Sequence, residues 1–278
     1  MGANKNLAIS AVSNFSTAYN LVIINIVHVI MEYQYCGGDK CKSQVEFAST
    51  ACLVGAIVGQ LTFGYVGDCM GRGPALQLTM GMSIFGALLS AFAVPIGGDG
   101  NTVFTFISVT RFLLGVGVGG VYPLAATIST ESSSQTDRGR NASLVFSMQG
   151  VANLLAPIVG WVLLLICGVP DTDSGTGNLG MAWRLALGLG ALPGILLLPF
   201  KTTPKTAATS NSLEEPIAAV NRNKAQGLSL WQALQMRKYW GKLLGTAGGW
   251  FFFDITFYGN SLFQSTVLEQ VFQVGSRQ

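Results

Sequence analysis

Charge is scarce in this sequence. Lysine and arginine number 16 and aspartate and glutamate 13 in 278 residues, 10% in all, where a soluble globular chain carries about 25%. So few charges do not cover a globular surface, and a soluble domain is excluded. The net charge of +3 forms no basic stripe, which excludes a nucleic-acid partner. One histidine, His28, leaves little room for histidine-based catalysis, and no Ser-His-Asp set, metal-ligand cluster or P-loop is visible. Neither an enzyme nor a bound metal or cofactor is expected. The five cysteines form no CxxC pair. Cys36 and Cys41 share one short polar loop, where a local disulfide and two free thiols are both open readings. The N-terminus enters an apolar segment with no small-residue cleavage pattern, so that segment is expected to stay as a helix.

What is abundant is apolar and small. Half of the residues are hydrophobic, and 35 of 278 are glycine, about 13% against a usual 7%. There is no G-x-y period, so collagen is excluded. Glycine-rich, apolar and charge-poor describes transmembrane helices whose backbones approach closely. A span needs about 20 mostly apolar residues. Seven candidates are present, near 7–31, 45–66, 74–95, 102–128, 142–167, 182–200 and 241–268. The predicted fold class is an all-α polytopic membrane bundle.

Charge bias predicts orientation. With the N-terminus cytoplasmic, Lys5, Arg72, Arg138, Arg140 and six cations of the segment from Lys201 to Trp240 fall on the inner side. The outer loops carry Asp39, Asp99, Asp171 and Asp173 with only Lys40 and Lys42. Five short connections followed by one long inner one form a 6 + 1 pattern. It predicts a six-helix bundle over 1–200, a cytoplasmic connection over 201–240, and the first helix of a second bundle over 241–278. A seven-helix receptor usually holds its N-terminus outside, against this charge count.

Charges within a membrane are costly, so each is a functional candidate. Glu32, Glu46, Arg184, Lys242 and Glu269 lie near span ends, where they can snorkel. Arg111 and Asp254 remain. Arg111, Gly115, Val118 and Tyr122 share a helical stripe, and Gly115, Gly117, Gly119 and Gly120 thin the helix before Pro123. Arg111 can hold an anion, pair with a carboxylate or bond backbone carbonyls. Trp250, Asp254 and Tyr258, spaced i, i+4, i+8, put an indole, a carboxylate and a phenol on one face. A carboxylate withdrawn from water can exchange a proton near neutral pH, and the indole and phenol can donate to an oxyanion. A packing network is the other reading. Gln149 and Asn153 form an amide pair before Pro157 that lines a cavity or joins helices. Among Asn14, Asn20, Asn25 and His28 of span one, Asn20 is the best cavity-lining candidate. In GYVGDCMGR, Asp68 and Arg72 are candidates for a gating latch.

These residues carry a resemblance. The turn GYVGDCMGR is similar to the G-x-x-x-D-x-x-G-R loop of the major facilitator superfamily, and RFLLGVGVGG to its helix-four arginine motif. GVGVGGVYPLAATISTES, SMQG and GGWFFFDITFYGNSLFQ resemble, more narrowly, the phosphate:proton symporter family of fungi, plants and protists. The resemblance covers nearly the whole chain, as an N-terminal half plus a seventh helix. It implies a secondary active transporter that imports inorganic phosphate by proton symport and alternating access, as a multi-pass protein of the plasma membrane. Tyr122, Gln149, Trp250, Asp254 and Tyr258 match the family's phosphate-site residues. Two of the family's aspartates are replaced, by Val121 and by Asn20, so coupling would rest on Asp254 and Glu131, use another ion, or be lost. The implied partners are phosphate, protons, the lipid bilayer, and the missing C-terminal helices or a partner half. A carrier of sugars or organic anions, and a non-transporting truncated half, are the alternative readings.

Overall fold

The computed structural model describes residues 2–35, 42–93, 100–168, 178–200, 237–262 and 271. Among these there are helices and no strand. They are α1 (Gly2–Tyr35), α2 (Lys42–Met70), α3 (Arg72–Ala91), α4 (Gly100–Glu131), α5 (Arg138–Cys167), α6 (Leu179–Leu189), α7 (Leu192–Leu197) and α8 (Arg237–Leu262). The Cys36–Cys41 loop, the acidic loop residues Asp39, Asp99, Asp171 and Asp173, the connection over 201–236 and Glu269 lie outside the described residues.

Among the described residues six stretches are long and apolar enough to cross a membrane: Asn4–Tyr35, Phe47–Met70, Arg72–Ala91, Thr102–Glu131, Arg138–Cys167 and Leu179–Leu197. They correspond to the first six expected spans. The sixth is broken. Gly190 and Ala191 interrupt it, and Pro193 stands in the first turn of α7, where its missing N–H is not needed by the helix. The seventh expected span is helical as α8 but is not among those six. Asp254 and its glycines make it less apolar than the others.

The chain divides into two units, Met1–Pro204 and Lys205–Gln278. The first holds α1 to α7, and the second holds α8.

The first unit has the polarity of a membrane protein. Asn14, Asn20, Ser10, Ser13, Thr79, Ser90 and Arg111 are buried, while Leu61, Phe92, Val109, Leu154, Trp161 and Ile166 are exposed. In lipid the outward apolar side chains cost nothing, and the inward polar groups must find partners. Several find them across helices. Asn14 Nδ2 donates to Val145 O at 2.6 Å and ties α1 to α5. Ser90 Oγ donates to Thr110 Oγ1 at 2.9 Å and ties α3 to α4. Ser49 Oγ and His28 Nε2 are 3.2 Å apart between α2 and α1.

Glycine decides which helices meet. On α4, a Cβ at Gly115 would overlap the Cys52 carbonyl of α2, and one at Gly119 the Ala56 carbonyl. In return, a Cβ at Gly55 or Gly59 of α2 would overlap the carbonyl of Phe112 or Val116. Each helix thus offers two glycines four residues apart, which lets the backbones touch. The other face of α4 does the same toward α3, where a Cβ at Gly117 would strike Thr79 and Ser83. Gly71 has a different reason. Its φ of 93° lies in the left-handed region that glycine adopts without strain, and it reverses the chain between α2 and α3.

Candidate functional site

In the first unit α4 carries Tyr122 and α5 carries Gln149. Gln149 Nε2 donates to the Tyr122 hydroxyl at 3.3 Å, so two residues 27 positions apart are joined. Both are half-buried. Pro123 follows Tyr122 inside α4, where it withholds a backbone hydrogen bond from the helix. A phenol and an amide side by side offer neutral donors to an oxyanion without a fixed charge.

Asn20 is almost wholly enclosed. Its Nδ2 donates to Ser16 O at 2.9 Å and to Gly190 O at 2.8 Å. The expected cavity-lining amide thus works as a clamp between α1 and the break after α6. Gly190 is fitted to it, since a Cβ there would overlap Asn20 Oδ1. Arg111 is fully buried, and its Nη1 donates to Asn20 O at 3.0 Å. Of the three roles open to this arginine, the structure shows the carbonyl bond. Asn153, on α5 with Gln149, is half-buried, and its Oδ1 makes no hydrogen bond among the described residues.

Asp68 and Arg72 form an ion pair of 2.7 Å across the Gly71 turn. Arg72 Nε also lies 3.7 Å from Glu131 Oε1, at the end of α4. The three residues link α2, α3 and α4 at one end of the bundle. Glu131, a proton-coupling candidate from sequence, sits there as an exposed partner of Arg72.

Sequence reasoning missed a cavity of about 10 Å³, lined by Ser13, Ser16, Thr17, Met80, Ser83 and Val121 among others. That is room for one water. The hydroxyls of Ser13, Ser16 and Ser83 donate to the carbonyls of Ile9, Gly190 and Thr79. The signal was present in α1, where Ser10, Ser13, Thr17 and Asn20 recur at helical spacing. Arg184, expected to snorkel at a span end, donates from Nε and Nη2 to Ala93 O at 3.2 and 2.9 Å.

In the second unit α8 carries Trp250, Asp254 and Tyr258 one turn apart, a stripe of about 12 Å along the axis. Asp254 and Tyr258 are half-buried, and Trp250 is exposed. Phe253 stacks on Phe257 at 5.4 Å between ring centroids. Phe251, Phe252 and Phe253 are exposed, as is Trp250.

Residues 7–275 match the family model of the Major Facilitator Superfamily. The chain is similar to inorganic phosphate transporter PT2 of Toxoplasma gondii, 34% identical over 276 residues, covering 97% of this chain and 45% of that protein. It is 29% identical over 305 residues to low affinity inorganic phosphate transporter 3 of Petunia hybrida, covering 95% and 56%. Against inorganic phosphate transporter 1-1 of Arabidopsis thaliana it is 28% identical over 306 residues, covering 95% and 57%. The chain thus spans about half the length of the curated relatives it matches. Among solved structures, the partially occluded inward-open xylose transporter XylE from E. coli aligns with a TM-score of 0.61 at 18% identity, over 71% of this chain and 47% of that one. A D-xylose-proton symporter aligns with a TM-score of 0.59 at 18% identity, over 81% and 53%. At that identity the likeness is one of fold.

Proposed function

The chain belongs to the major facilitator superfamily, and from that premise we propose that it serves the import of inorganic phosphate by proton-coupled symport. It is a multi-pass membrane protein by its spans and its family. The observation that carries the phosphate reading is the Gln149–Tyr122 hydrogen bond of 3.3 Å. It supplies paired neutral donors in a chain whose curated relatives are named phosphate transporters. An anion that must be released on the far side is better held by neutral donors than by a fixed cation at contact, because release then breaks no ion pair.

In this reading Tyr122 and Gln149 of the first unit, and Trp250, Asp254 and Tyr258 of the second, are phosphate ligands. Asp254 is the only acid among them, and it takes the proton that travels with phosphate. Asp68, Arg72 and Glu131 hold one end of the bundle and let go as access alternates. The N-terminus is cytoplasmic by the positive-inside bias, and the plasma membrane is the proposed location. The work is carriage across a membrane and not catalysis.

The test is uptake of radiolabelled phosphate by the full-length protein in a host lacking its own phosphate carriers. Uptake should rise with an inward proton gradient, and Asp254→Asn should abolish that rise. Undiminished pH-driven uptake in that variant sinks the assignment of Asp254. Competition by sugars, carboxylates and sulfate separates phosphate from other solutes. Strong inhibition by a sugar alone would assign the carrier to sugars.

A further inference from the structure

Arg111 is the largest charged side chain in the interior of the first unit, with 0% of its surface exposed. Its guanidinium stays protonated in any protein setting. Only Nη1 has a partner, the backbone oxygen of Asn20 at 3.0 Å. Nε and Nη2 make no hydrogen bond among the described residues, and the ion pairs there join Arg72 to Asp68 and Glu131, not Arg111. Tyr19, His28 and Cys52 lie within electrostatic reach, and none is a carboxylate. Asn20 supplies no charge either, since its amide is spent on Ser16 O and Gly190 O.

A buried cation without a counter-charge is costly. Among the described residues of this unit no carboxylate pairs with it. Among the described residues only the Asn20 carbonyl dipole offsets its field. Tyr122 lies on the same helix, 11 residues on, which is about 17 Å along the axis.

We propose that Arg111 is a specificity-determining residue: a fixed, uncompensated positive charge that favours an anionic solute at the Tyr122–Gln149 pair without touching it. This rests on the phosphate reading above. At about 17 Å and an effective dielectric near 20, the attraction on one negative charge changes affinity about five-fold. The arrangement separates attraction from contact. The charge draws the anion in, while the neutral donors hold it and release it.

The test is equilibrium binding of radiolabelled inorganic phosphate to the purified full-length protein, with thermal unfolding followed alongside. Arg111→Gln removes the charge and also relieves an unpaired buried cation. It should weaken binding about five-fold without lowering the unfolding midpoint. Arg111→Lys keeps the charge and loses the planar fork, and it should bind within about two-fold of wild type. Asn20→Asp puts a carboxylate on the residue whose backbone oxygen the guanidinium holds, and it should weaken binding about as much as Arg111→Gln. Affinity that follows the charge across these variants supports the proposal. Wild-type affinity in Arg111→Gln, or equal losses in the Gln and Lys variants, overturns it. A wild-type protein that binds no phosphate overturns the phosphate reading instead, a result distinct from either.

Discussion

The amide of Gln149 and the hydroxyl of Tyr122 meet at 3.3 Å, and this contact joins α5 to the proline-bearing segment of α4. Neither residue is buried deeply enough for its loss to endanger the fold. Both therefore suit substitution as probes of solute binding.

Tyr122→Phe removes the acceptor of that bond and one donor offered to phosphate, while keeping the ring. The half-maximal phosphate concentration for uptake should rise about ten-fold, with maximal rate and thermal stability close to wild type. Gln149→Leu should act in the same direction. The double variant should be less than additive if the two residues work as a pair. Uptake kinetics on the three variants give the answer, and full additivity would argue for independent roles.

Glycine substitutions should divide by position. Gly115→Ala and Gly119→Ala force a methyl group onto the Cys52 and Ala56 carbonyls, and α2 must move away from α4. Each should cost about 1–3 kcal/mol, read as a lower unfolding midpoint in detergent. Gly64 and Gly81 have nothing within 4 Å of an added Cβ. Alanine there should raise the midpoint slightly, because glycine is the poorer helix former by about 1 kcal/mol.

Asp68→Asn should slow transport several-fold and barely change stability. The Asp68 side chain is 65% exposed in its 2.7 Å pair with Arg72, and exposed pairs stabilise by less than about 1 kcal/mol. Exchanging the two residues, Asp68→Arg with Arg72→Asp, should recover part of the rate. Transport assays paired with unfolding curves separate a latch from a structural brace.

Trp183 should be the most sensitive aromatic position of the first unit. It is fully buried, its Nε1 donates to Gln34 Oε1 at 3.1 Å, and the Arg184 guanidinium lies 4.4 Å from its ring centroid. Trp183→Ala should cost about 3–5 kcal/mol, and Trp183→Phe clearly less. Thermal unfolding of the purified variants measures both.

How much was legible beforehand varies with the physical constraint. The six spans were legible because a bilayer demands about 20 apolar residues at each crossing, a local requirement. The stripe Trp250, Asp254, Tyr258 was legible for the same reason, since spacing on one helix needs no partner. The Gly71 turn and its flanking charges sat together in one short motif.

Other features depend on where distant segments meet. The four glycines of α4 announced close packing, but only the fold shows that Gly115 and Gly119 face α2 while Gly117 faces α3. Asn20 read as a cavity residue, and it became a clamp because α1 runs beside Gly190, 170 positions away. The Ser13–Ser83–Val121 cavity draws on α1, α3, α4 and α7 and belongs to none of them alone. By itself the sequence determined that the chain crosses a membrane, which residues carry charge inside it, and the family pattern, because hydropathy, charge and motif are properties of neighbouring residues. Only the tertiary structure decided that Arg111 meets a backbone carbonyl and, among the described residues, no carboxylate, because the partner of a buried charge is chosen by helix packing and not by position along the chain.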